Sequence, residues 1–153
     1  MRGWWPRLNA PAVGDRAGDA ANLLLRVVAG GLLFWVHGVH KAEGAIGYLG
    51  RGEAWTLLDE VRGMGTPAPV VAAVLATLSQ LVMPVFVVLG LYTRPAALVL
   101  TATLLGAIVQ NLTADRDPQL AILYTLAALT LGVWGAGRYS LDARPTPISE
   151  PGR

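Results

Sequence analysis

Cysteine is missing from all 153 residues. Disulfides, thiolate catalysis, iron–sulfur clusters and cysteine-held zinc are therefore excluded. Charge is scarce as well. Asp, Glu, Lys and Arg make up 14% of the chain, against about 25% in soluble domains. The net charge of +2 is small and dispersed, which gives no basic face for nucleic acid. Histidine occurs only twice. No nucleophile–base pair, complete metal set or nucleotide motif argues for chemistry by this chain alone. Gly135-Ala136-Gly137 closes an apolar segment instead of opening a helix after a strand, so it is no dinucleotide loop.

What remains is apolar. The chain is 54% hydrophobic, with a mean hydropathy of +0.49, and its uncharged runs reach about 20 residues, the length of a membrane span. Its length allows one domain. The pattern predicts an all-α integral membrane fold, a bundle of four transmembrane helices over residues 23–41, 69–90, 95–112 and 118–136. The run 23–41 organises the rest. At 100° per residue Arg26, Gly30, Leu33, His37 and Lys41 share one stripe, and a membrane helix turns such a polar, glycine-bearing face inward. Arg26 and Lys41 are expected at the two ends, where long side chains snorkel. Gly44, Gly47, Gly50 and Gly52 are expected to break the helix, and residues 53–62 read as a short amphipathic interfacial helix with Trp55, Leu58 and Val61 in line. Pro84 should kink the second span.

Residues 1–22 read as an N-terminal tail without a signal peptide, with Trp4 and Trp5 resting at the membrane surface or lying in a disordered segment. Residues 138–153, with Pro145, Pro147 and Pro151, read as a disordered C-terminal tail. Four spans put both tails on one side. That side carries 8 Lys/Arg against 4 acids, and the other carries 4 against 6. The positive-inside rule then makes both tails cytoplasmic, in a bacterial inner (plasma) membrane.

Four pieces of the chain resemble the DoxX family of small four-helix membrane proteins. They are LLLRVVAGGLLFWVHGVHK at 23–41, Gly65-Thr66-Pro67-Ala68-Pro69, Leu89-Gly90-Leu91-Tyr92-Thr93-Arg94, and GAGRYSLD at 135–142. They occur in the family's order over about residues 20–143. The resemblance implies association with quinone-linked oxidoreductases, such as thiosulfate:quinone oxidoreductase, or with redox-defence or metal-handling systems. The implied partners are a redox subunit, membrane lipid and a second copy of the chain, with no nucleic acid. A non-catalytic scaffold or small transporter accessory subunit is the competing reading. One departure stands out. The family usually carries a glutamate ten residues before the glycine that matches Gly90, and here that residue is Gln80.

His37 and His40 lie i, i+3 on one helix. Two ligands with no Glu-x-x-His partner do not make a metal site, so no metal is expected. Two histidines on one face cannot ligate both sides of a haem, so no haem is expected either. The topology brings His37, His40, Lys41, Gln110, Asn111 and Tyr124 toward the outer leaflet, where the two histidines either hydrogen-bond neighbouring helices or join the other groups in hydrogen-bonding the carbonyl oxygens of a quinone. Gln80 reads as an interhelical tie, about 10 Å deeper than His37. Arg26, Arg94, Arg138 and Asp142 form an inner ring of structural polar groups, in which Arg26 neutralises Asp142 or binds lipid phosphate, and Arg138 pairs with Asp142 if the helix continues.

Overall fold

A computed structural model describes residues 16–143. The expectations for residues 1–15, including Trp4 and Trp5, and for residues 144–153 lie outside the described residues. Within them the chain is all-helical: α1 (Arg16–Arg51), α2 (Thr56–Gly63), α3 (Pro69–Leu89), α4 (Thr93–Thr113) and α5 (Gln119–Trp134). α1, α3 and α4 are long and apolar enough to cross a membrane, and α5 is a shorter apolar helix. This is a helical membrane bundle.

The first helix differs most from its sequence reading. It spans 36 residues, about 54 Å at 1.5 Å per residue, well beyond a hydrocarbon core of about 30 Å. It starts before residue 23 because Asp19 and Asn22, which interrupt the apolar pattern, are buried against the C-terminal loop. Nor do Gly44, Gly47 and Gly50 break it. Gly44 and Gly47 face the returning chain, where a Cβ would press on the ring of Trp55 and the carboxylate of Glu53. Small residues there let the connection fold back tightly. The helix stops at Gly52, whose φ of 68° suits glycine, and Arg51 then grips Glu53 through two bonds of 2.6 and 3.0 Å.

Midway along α1, Leu33–Val39 winds as a π-helix. Two glycines bring α1 against α3 here. A Cβ on Gly30 would lie 2.7 Å from Val88, and one on Gly38 would overlap the Gln80 carbonyl. That carbonyl is also the one Pro84, inside α3, has no N–H to satisfy at i+4. Without a side chain at Gly38, α1 packs directly against this carbonyl.

The core has two centres. Leu33, Val87, Leu100, Leu104 and Leu131 pack among the alanines of α4 and α5. Trp55, just before α2, and Leu57, Leu58 and Val61 of α2 pack on Ala73 of α3. α2 therefore lies across one end of the bundle as the sequence pattern indicates, with its apolar side down. α3 ends in a Schellman turn, in which Leu91 N–H bonds Phe86 O at 2.9 Å and Gly90 adopts a φ of 67°.

Candidate functional site

Beneath α2 a chamber of about 250 Å³ opens between α1, α3, α4 and α5. Its polar wall is His37, Lys41, Gln80, Gln110, Asn111, Arg116 and Tyr124, and Leu33 and Leu104 form part of its apolar wall. The helices explain the convergence. His37 and Lys41 stand one turn apart on α1, Gln110 and Asn111 close the last turns of α4, and Tyr124 lies in the second turn of α5.

The imidazole of His37 meets the ring of Tyr124 edge to face, with centroids 5.6 Å apart and planes at 81°. Its Nε2 is buried and has no hydrogen-bond partner, and the same holds for Oε1 of Gln80, a residue only 2% exposed. Buried polar atoms are normally paired, because leaving one unmet costs about 1–3 kcal/mol. Both residues line the chamber, so two buried polar atoms without a partner belong to its wall. Lys41 sits within electrostatic reach of the Glu60 carboxylate. Glu60 reaches down from α2 and accepts hydrogen bonds from Gln110 Nε2 and from Arg116 Nη1, the latter at 2.7 Å. This carboxylate fastens α2 over the chamber.

Five of the six residues expected at the site line this chamber: His37, Lys41, Gln110, Asn111 and Tyr124. His40 does not. Its side chain is 86% exposed on the outer surface of α1, 3.8 Å from Glu43. Gln80 is part of the wall as well as an interhelical element, because α1 and α3 cross at that residue. Lys41 lines the chamber and is not at the end of its helix. Glu60 and Arg116 were not foreseen. Residues 53–62 hold three acids, Glu53, Asp59 and Glu60, and nothing in their spacing says which one turns back toward α4.

The inner ring is a clasp built on backbone. Arg26, fully buried, donates from Nη2 to the Tyr139 carbonyl, so it reaches neither solvent nor lipid phosphate. Asn22 bonds Gly135 O at 3.1 Å, and Asp19 accepts the Arg138 N–H at 3.1 Å. Asp142 accepts the N–H groups of Tyr92 and Thr93 at 3.0 and 3.2 Å, and so caps α4. The helix ends at Trp134, Arg138 is exposed, and among the described residues no Arg138–Asp142 ion pair forms. Arg94 lies against Gly135. Residues 138–143, read from sequence as tail, are thus tied to α1 and to the α3–α4 turn.

Among the described residues no group of three or more His, Asp or Glu is arranged to hold a metal. No curated protein and no solved structure matches the chain. A family model for DoxX matches residues 21–113, which takes in α2, α3, all of α4 and most of α1, and stops before α5 and the closing loop. With more than half of its length matched, the chain belongs to the DoxX family.

Proposed function

We propose that this small integral membrane protein is the membrane subunit of a quinone-linked oxidoreductase or redox-defence system and that it holds the quinone head in the chamber beneath α2. The observation that carries the reading is the unpartnered, buried Nε2 of His37, flanked by Tyr124. Lys41, Asn111 and Tyr124 add donors around the same space. A quinone presents two carbonyl oxygens that accept such bonds and a flat ring that fills an apolar wall. The chain supplies orientation and a shielded, low-dielectric pocket, and a partner enzyme supplies or removes the electrons. The excess of basic residues on the side of both termini supports an orientation with the termini cytoplasmic and the chamber toward the outer leaflet of a bacterial inner membrane.

Gentle purification from native membranes tests this, with bound quinone and co-purifying proteins identified by mass spectrometry. The reading expects quinone retained by the wild type, depleted in folded His37→Ala, and an oxidoreductase in the same complex. Folded wild type that carries no quinone and travels with a permease or metal-uptake protein contradicts it and favours the scaffold reading.

A further inference from the structure

The chamber has a neighbour. A second cavity of about 530 Å³ shares Lys41, Gln80, Ala107 and Gln110 with it. Leu57 and Val61 of α2 roof this cavity, and Ala76 of α3 and Gly106 of α4 form its sides. Leu75 and Val99, also in its lining, are 60% and 45% exposed on the apolar outer surface of α3 and α4. In a bilayer that surface faces lipid, so the cavity opens sideways into the hydrocarbon. A hydrogen bond of 2.8 Å from Thr103 to Ser79 joins α3 and α4 within its wall, so the opening is part of a fixed seam between the helices.

From this pairing, and resting on the quinone reading above, we infer that the ligand is a lipid-borne quinone that keeps its chain in the larger cavity and enters from the bilayer between α3 and α4. Three observations meet here. The polar chamber alone falls below the about 300–1,000 Å³ usual for small-molecule sites, and the two cavities together fall inside that range. The unpaired Nε2 of His37 suits a carbonyl of a quinone head, the unpaired Oε1 of Gln80 can accept only from a hydroxyl such as the reduced quinol head carries, and Gln80 stands at the junction of the two spaces. The larger space is walled mainly by apolar side chains and is open to lipid, which suits a hydrocarbon chain and no soluble substrate. Such a ligand exchanges with the membrane pool without crossing water, and α2 stays fastened by Glu60 while it does so.

Gly106 provides the test. It lines the larger cavity, and a Cβ built on it meets nothing within 4 Å, so a side chain started there extends from open space beside the cavity. Wild type and Gly106→Phe are reconstituted in lipid nanodiscs. Each is titrated with a benzoquinone bearing a decyl chain and with the same head bearing a methyl group, and affinities are expressed as mole fraction in lipid. The inference expects Gly106→Phe to weaken the chained ligand about tenfold, the scale of an overpacked site, and to leave the methyl analogue unchanged. Loss of neither ligand in a variant of wild-type stability overturns the chain site, while the head reading stands if His37→Ala still weakens both. Absence of binding by the chained ligand to folded wild type overturns both. A chain-borne photoreactive group gives a second readout, expected to label Val61 and Ala76; labelling confined to the far side of α1, at Trp35 or Leu49, overturns the route.

Discussion

The ring of Tyr124 stands edge-on to the imidazole of His37, with centroids 5.6 Å apart. The contact joins α1 to α5 across the chamber, so the first and last helices both contribute to a site that neither forms alone. Replacing Tyr124 by Phe keeps the ring contact and removes one hydroxyl. The fold should hold, with a stability change within about 0.5 kcal/mol, and quinone-dependent thermal stabilisation should shrink. His37→Gln should keep part of that stabilisation, because an amide still donates to a carbonyl oxygen. Thermal unfolding in detergent, with and without a quinone analogue, checks both variants.

Two glycines in the middle of α1 should behave in opposite ways. A Cβ on Gly38 overlaps the backbone carbonyl of Gln80, which cannot step aside, whereas one on Gly31 meets nothing within 4 Å. Gly38→Ala should cost about 1–3 kcal/mol by forcing α1 from α3. Gly31→Ala should be neutral or stabilise by about 0.5–1 kcal/mol, since alanine is the better helix former. A parallel pair is Gly30→Leu, which should lower the folded yield because Val88 and the Pro84 carbonyl crowd that position, and Val28→Leu, which should not, because Val28 is exposed. Equal midpoints and yields within either pair would contradict the packing.

Much of this arrangement is legible in sequence, and the misses share a cause. The stripe from Arg26 through Gly30 and Leu33 to His37 follows from helical period alone, and those residues do face inward. His40 fails because it lies three residues after His37, about 60° off the stripe even in a regular helix, and the wider turn of the π-helix at Leu33–Val39 carries it further from the inward face. Asp19 and Asn22 fail for a different reason. A hydropathy scan ends a span at polar residues, yet these two are buried because the loop after α5 supplies their partners. Such long-range pairing, more than 100 residues apart along the chain, leaves no local periodic signal. Glu60 belongs with them, since its partners lie on a helix and loop whose register against α2 only the folded chain defines.

The closing loop should matter for stability although it follows the last helix. Asp142→Ala removes the acceptor for two N–H groups at the start of α4, and loss of such a cap costs about 0.5–2 kcal/mol. Asp142→Asn should recover part of it. Chemical or thermal denaturation in detergent measures the difference, and an unchanged midpoint for Asp142→Ala would show that the cap contributes nothing.

Orientation in the membrane is open to a direct test. Reporter fusions after Arg62 and after Arg153 should report opposite sides, with the C-terminal fusion cytoplasmic. A cytoplasmic signal from the Arg62 fusion would reverse the orientation and put the chamber toward the inner leaflet.

The central claim, a quinone bound at His37, is tested most directly by thermal shift across a quinone titration of purified wild type and His37→Ala. A ligand that binds only the folded state stabilises it by RT ln(1 + [L]/Kd), about 2.7 kcal/mol at a hundredfold excess over Kd. Wild type should gain midpoint steadily with quinone concentration, and folded His37→Ala should lose that gain. An identical gain in folded His37→Ala, or none in folded wild type, would contradict the account.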